Sequence, residues 1–417
     1  MKSFISISFV FLICISCHTI NTDDEYSDVF TSEVYKEVKP DIEIKSLPLT
    51  KVQNEYISGY NVFTMDLLSE IFSNNNQSSF VYSPLGMQYI LGMMANMVDS
   101  SVSDKFIQYA YGESVSLEDY NEYLKLLLYK LPALDLNSTI SVANFLLLSN
   151  QYEFDNTNID YISDSYRALV SEVDFNDPLL SFTVNNWAKY HTNGLINNPV
   201  SSFDASITVF FMNSLYFSAP WSKNFNKDNT CVMEFKSENL SVSDVQMMSS
   251  IYNYPYFENE MMQILELPYG NEKFVMSIFL PKNGYYLSEI LSILDLSCLD
   301  LLSNEYLSIS LPKMNISSKL NMKNILIDLG WDFLNSEIII SAGNKSPISS
   351  LFQTSVISID ENGSIASSVT SSESGTCWDD SENEILPIEF IANHPFAFAV
   401  YDKTSNVILF SGIYNGN

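Results

Sequence analysis

Apolar and polar positions change their spacing along this chain, and each change marks an element. Residues 1–17, MKSFISISFVFLICISC, put Lys2 ahead of a mostly apolar run from Phe4 to Ile15, with small residues near Ser16. That run is too short to span a bilayer comfortably, and the acidic, polar HTINTDDEYSD behind it suits an export leader better than an anchor. The expected organisation is a signal peptide over 1–17, an acidic N-terminal extension over 18–55, and one folded domain over 56–417. Helical spacing begins with YNVFTMDLLSEIF at Tyr60 and continues in SPLGMQYILGMMANM, where Pro84 takes a first-turn position that needs no N–H. LEDYNEYLKLLLYKL, from Leu117, is a further helix, and the clustered methionines 87, 93, 94 and 97 are core filler.

Strand-like runs then dominate: 140–149, 207–217, 261–269, 274–281 and 306–314. The third and fourth form a hairpin across a Gly-Asn turn. SKLNMKNILIDLGW predicts a helix ending near Gly330, and SVISID, PIEFIANHPFAFAV and NVILFSGIY close the chain as strands. Helices followed by many strands imply a single α+β domain with at least one large sheet. Between the last strands lies IDENGSIASSVTSSESGTCWDDSENEILP, a small-residue, acidic stretch that the chain must cross before they can pair.

Composition narrows the function. With 46% hydrophobic residues in 417, the chain can bury a large core. Its formal charge of -30 repels phosphate backbones, heparin-like polyanions and anionic lipid surfaces, so nucleic acid, heparin and membranes are not expected partners. Cys231, Cys298 and Cys377 are too few for a disulfide framework, and His18, His191 and His394 have no metal-ligand spacing. No GxSxG, HExxH, P-loop or GxGxxG occurs. His191 and His394 sit singly among apolar and aromatic residues, the acids of WDDSENE read as a solvated run, and nothing near Cys377 supplies a base. No enzyme site, cofactor or metal is therefore expected. Acceptor sequences for N-glycosylation occur at Asn76, Asn137, Asn239, Asn315, Asn344 and Asn362.

Several ordered segments resemble the serpins, the serine protease inhibitor family. They are FVYSPLGMQYILGMM, VNNWAKYHTNGLI, VFFMNSLYFSAPWSKNF with Asn213, Tyr216, Phe217, Trp221 and Phe225, LELPYGNEKFVMSIFLPK, ISLPKMNIS with LGWDFL, and ANHPFAFAVYDKTSNVILFSGIY. The resemblance spans about 58 to 415. It implies three β-sheets, eight or nine helices and an exposed reactive-centre loop over about 361–389, as well as a sheet-opening region at Ser83, Gly86, Asn213 and Gln353. A hinge is implied at Glu361, Gly363, Ser364, Ala366, Ser368 and Thr370.

The family mechanism is loop cleavage, acyl-enzyme formation and insertion of the cut loop into the central sheet. Small uncharged side chains keep the cost of burying alternate residues low, and glycine frees the base of the loop to turn. Counting sixteen residues from Glu361 puts the reactive bond at Cys377–Trp378; the long acidic extension WDDSENE leaves bonds after Trp378 or between residues 381 and 385 as alternatives. An inserted strand of fourteen or so residues would carry a trapped protease about 45 Å. No Lys or Arg lies between Lys345 and Lys403, so no bond in the loop suits a trypsin-like pocket. The expected function is a secreted, extracellular, monomeric inhibitor that traps a non-tryptic endopeptidase covalently. Elastase-, chymotrypsin- and subtilisin-like serine proteases and papain-like cysteine proteases fit the loop. Departures from the family pattern at Ile365, Gln353, Gly86 and the long acidic loop support the alternative of a non-inhibitory binding or carrier protein.

Overall fold

The computed structural model describes residues 40–75, 78–112, 115–196, 198–335, 338–340, 344–346, 348, 351–364 and 386–416, with backbone alone at 338–340 and 344–346. Helix α1 (Lys51–Asn74) starts at a reciprocal cap: Thr50 accepts from the Gln53 N–H while the Gln53 side chain accepts from the Thr50 N–H. That cap sets the helix start five residues ahead of the boundary expected at 56. Leu47, only 7% exposed, joins the core before it. After β1 (Phe80–Tyr82), the hydroxyl of Ser83 caps α2 (Pro84–Met97) by accepting from Gly86 N–H. Every residue of α2 except Asn96 is buried, which makes it the central helix. Helices α3 (Ser100–Tyr111) and α4 (Leu117–Lys130) pack beside it.

A sheet of six strands crosses over α2. Its members are β2 (Thr139–Ser149), β3 (Ala168–Val173), β4 (Val209–Pro220), β10 (Met314–Asn321), β13 (Phe352–Asp360) and β14 (Gly363–Ser364), in the order β10-β13-β14-β4-β2-β3. Between its strands come α5 (Asn156–Ser165) and α6 (Leu180–His191). A nine-stranded sheet holds β1, β5 (Cys231–Lys236), β6 (Val242–Glu258), β7 (Met262–Pro268), β8 (Phe274–Pro281), β9 (Ser303–Pro312), β15 (Ile388–Ile391), β16 (Phe396–Asp402) and β17 (Ile408–Tyr414). Its longest strand, β6, pairs with β9 along most of its length and with β7 at its end. Short α7 (Leu287–Leu291) and α8 (Met322–Asp328) and the pair β11 (Ile338–Ile340) with β12 (Asn344–Ser346) complete the fold. The described residues thus form three sheets and eight α-helices.

The helix expected from Ser318 begins only at Met322. Residues 318–321 instead pair with 352–355 as the end of β10, because alternate burial of Ser318 and Leu320 suits a strand face. Most apolar side chains form one core around α2; a second, smaller one lies under α6, where Val184, Trp187 and Ala188 cover Phe145, Leu147, Phe210 and Met212. Among the described residues, no helix is long and apolar enough to cross a membrane and no group of three or more His, Cys, Asp or Glu could hold a metal ion. Cys231 is an exposed free thiol and Cys298 a half-buried one, which burial pushes up to about 11.

Candidate functional site

The described members of the expected hinge, Glu361, Gly363 and Ser364, lie at one end of a seam between β13 and β4. Gly363 and Ser364 form β14, antiparallel to both neighbours: Ile359 pairs with Ser364 and Asp360 with Gly363 on one side, Pro220 with Gly363 and Ala219 with Ser364 on the other. Elsewhere along the seam, the described residues of the two strands meet through a single backbone bridge, Phe211–Leu351. Only glycine fits at 363. Its φ is +143°, and an added Cβ would lie 2.1 Å from the Ala219 carbonyl oxygen. Ser364 is fully buried, and its hydroxyl is 2.6 Å from that of Tyr269. Tyr269 in turn stacks on Trp221 with ring centroids 4.2 Å apart, and the Trp221 indole N–H donates to Asp360 O at 2.9 Å.

The acidic residue ahead of the glycine is held as firmly. Glu361 is 3% exposed; Lys313 Nζ lies 2.7 Å from its Oε1, and the Thr230 hydroxyl donates to the same oxygen at 2.7 Å. Burial alone would raise this carboxyl, but the bonds from Lys313 and Thr230 outweigh it and hold it below the usual range. Backbone bonds from Phe225 N to Glu361 O and from Trp221 N to Asn362 O tie the turn to the segment after β4. Of these partners, Lys313 and Tyr269 carry no signal in the sequence: one is a single lysine at the break between β9 and β10, the other an ordinary end to a strand.

The four residues expected at the sheet opening come together beneath the middle of the seam. Gln353, on β13, accepts from Ser83 N–H at 3.0 Å and donates to Ser83 O at 2.7 Å, so that strand is anchored to the start of α2. Asn213, on β4, donates from Nδ2 to Asn144 Oδ1 at 2.8 Å, and Asn144 donates to Tyr166 O, which anchors that strand to β2 and the end of α5. Gly86 lies between them: a Cβ there would meet Asn213 Oδ1 at 2.1 Å and Gln353 Nε2 at 3.1 Å. Each side of the seam is therefore tied to the scaffold below it, and no side-chain hydrogen bond joins Gln353 to Asn213. Asn213 Oδ1 is buried without a partner.

Ala366, Ser368, Thr370, Cys377 and Trp378 lie outside the described residues, as does Asn76. Asn137, Asn239 and Asn315 are exposed, Asn344 is described by backbone alone, and half-buried Asn362 turns its amide toward Asp360. Of the three histidines, His18 lies outside the described residues and the other two are packed into the fold. His191 packs against Trp187, and burial lowers it to about 4; His394, lowered by burial, contacts Pro281 O.

Known proteins share this fold. Residues 58–416 match the family model described as Serpin (serine protease inhibitor). An uncharacterized serpin-like protein of Thermococcus kodakarensis is 28% identical over 388 residues, covering 89% of this chain and 90% of its own length. The thermophilic serpin tengpin in its native state superposes with a TM-score of 0.75 at 23% identity, covering 92% of this chain and 99% of that one. Native protease nexin-1, solved with heparin, gives 0.76 at 21%, covering 88% and 100%. With a family model that matches residues 58–416, most of its length, the chain belongs to the serpin family.

Proposed function

We propose that this serpin is a secreted, monomeric suicide-substrate inhibitor of a non-tryptic endopeptidase. The observation that carries the reading is β14: the base of the loop is already paired on both edges, in the direction a further inserted strand would take. Cleavage would free the rest of the loop to extend that strand, with the acyl-linked protease attached. The absence of Lys and Arg from 346 to 402 argues for an elastase-, chymotrypsin- or subtilisin-like serine protease, or a papain-like cysteine protease, and Cys377–Trp378 is the proposed reactive bond. The charge of -30 argues against a heparin-like partner, and the leader at 1–17 argues for export.

Incubation with a panel of these proteases is expected to yield an adduct stable to denaturing gels, and its mass to locate the bond. Ser364→Arg is expected to abolish inhibition while cleavage persists, since a charged side chain would have to be buried where Ser364 is fully buried. Unchanged inhibition by that variant would refute the mechanism. A carrier role is the second reading, favoured by a cavity of about 820 Å³ between α1 and the segment after α7, lined by Ile57, Met65, Leu291, Leu294, Asp66 and Asp295 among others. Ligand binding without any adduct across the panel would favour it.

A further inference from the structure

The nine-stranded sheet carries a shallow trough on one face of β6, β9 and β15, which lie side by side. Paired residues share a face, so one row across the strands runs Ile251–Ser308–Glu389 and the next Ser249–Ser310–Ile391. The alternate residues Leu307, Ile309 and Phe390 are fully buried on the opposite face, which makes this face the outer one. Two half-buried serines of the middle strand form its floor, between Ile251, 58% exposed, on one bank and exposed Glu389 on the other. Neighbouring strands are about 4.8 Å apart, so the banks are separated by about 10 Å. At one end the hydroxyls of Ser249 and Ser310 lie 3.3 Å apart across the floor.

Packing explains neither bank. Ile251 is a large apolar side chain held in solvent, and among the described residues Glu389 has no ion pair. The strand that carries this carboxylate is nonetheless fixed: Gln263 Nε2 donates to Glu389 O at 3.0 Å, and β15 pairs with β9. A long basic side chain suits such a trough, with its aliphatic stem along Ile251 and the serines and its charged head at Glu389. Position names the partner. The described chain resumes at residue 386, so Glu389 stands within about 10 Å of the far end of the loop. An enzyme closing on the loop therefore comes down beside this face, and the charge of -30 favours one with a basic surface.

We infer that this trough is a second docking site for the target protease, receiving a Lys or Arg from the rim of the enzyme's cleft between Ile251 and Glu389. The loop then selects the enzyme's pocket and the trough selects its rim, which adds discrimination outside the reactive bond. This rests on the inhibitor reading above.

The test uses full-length chains carrying Glu389→Gln, Glu389→Lys, Ile251→Ser and Glu305→Gln. Glu305 is the control: it lies on β9 but on the other face from Ser308, and its loss changes the net charge as much as Glu389→Gln does. The rate of adduct formation is measured with the fastest-reacting protease of the panel and expressed per active inhibitor, so misfolded chain does not count. In about 20 mM NaCl, Glu389→Gln is expected to slow it about threefold and Glu389→Lys about tenfold, and both gaps to close in about 0.5 M salt. Ile251→Ser is expected to slow it about threefold at either salt, because an apolar contact is not screened. Glu305→Gln is expected to match the parent. Parent-like rates for both Glu389 variants, or an equal slowing by Glu305→Gln, overturn this inference and leave the inhibitor reading standing. No adduct from the parent with any enzyme of the panel overturns both.

Discussion

Glu361 shows how one side chain can hold a turn under load. Its carboxylate is 4% exposed yet charged, stabilised by Lys313, whose side chain is 37% exposed, and by Thr230. Removing the cation alone would leave a buried charge half satisfied. Lys313→Met is therefore expected to destabilise the intact protein by about 2–3 kcal/mol, below the full cost of a deeply buried pair because the lysine end is open to solvent. A urea titration checks this. The carboxyl is lowered in the fold, so its contribution is present above the unfolded value and lost as pH falls through the folded one. His191 works in the same pH direction by the opposite chemistry. Burial lowers it from 6.5 to about 4, so the unfolded chain takes up its proton first, and stability falls as pH drops from 6.5 toward 4. Between pH 7 and 5 the cost is about 2 kcal/mol, and His191→Phe is expected to flatten the stability profile by that amount.

Among the elements, β14 is the smallest and the most constrained. Gly363→Ala would place a methyl against the Ala219 carbonyl at a φ that side chains resist, so the strand is expected to leave the sheet. Faster digestion of the loop by a metalloprotease and a slower inhibition step would be the readouts. Much of the element pattern was legible in the sequence, and the reasons are specific. Pro84 after Ser83 announced α2, and the Gly-Asn turn joined β7 to β8, whose residues pair from Met262–Pro281 to Pro268–Val275. The expected helix from Ser318 misled because its first residues face the core in alternation, a two-residue period too short to notice beside the helical run that follows. Ser83, Gly86, Asn213 and Gln353 were named together only through family resemblance. Nothing in their spacing brings them into contact; sheet topology does. The double commitment of Gln353 to Ser83 and the unpaired oxygen of Asn213 became visible only in three dimensions.

At the scale of the whole molecule, two sets of ties meet along a line with few bonds across it. β13 is fastened to the start of α2 and β4 to β2 and α5, while among the described residues the seam between them is held by β14 and one backbone bridge. An architecture of this kind would concentrate separation at one place instead of melting the sheet, as the proposed insertion requires. Charge adds a global term. Fifty acidic against twenty basic residues repel one another in the compact state, and the described ion pairs are few. Raising NaCl from about 20 mM to about 0.3 M, where the screening length falls well below 10 Å, is expected to raise the Tm of the intact protein. A flat or falling Tm would show that local pairing, not the overall field, dominates.

The stack of Trp221 on Tyr269, with the indole N–H bound to Asp360 O, places a natural fluorophore against the Gly363–Ser364 pair of β14. On the proposed mechanism β14 departs or lengthens, which would alter the ring's surroundings, so emission from the unlabelled protein is expected to change in a stopped-flow trace when either happens. The tryptophan that braces β14 would thus make the proposed movement visible.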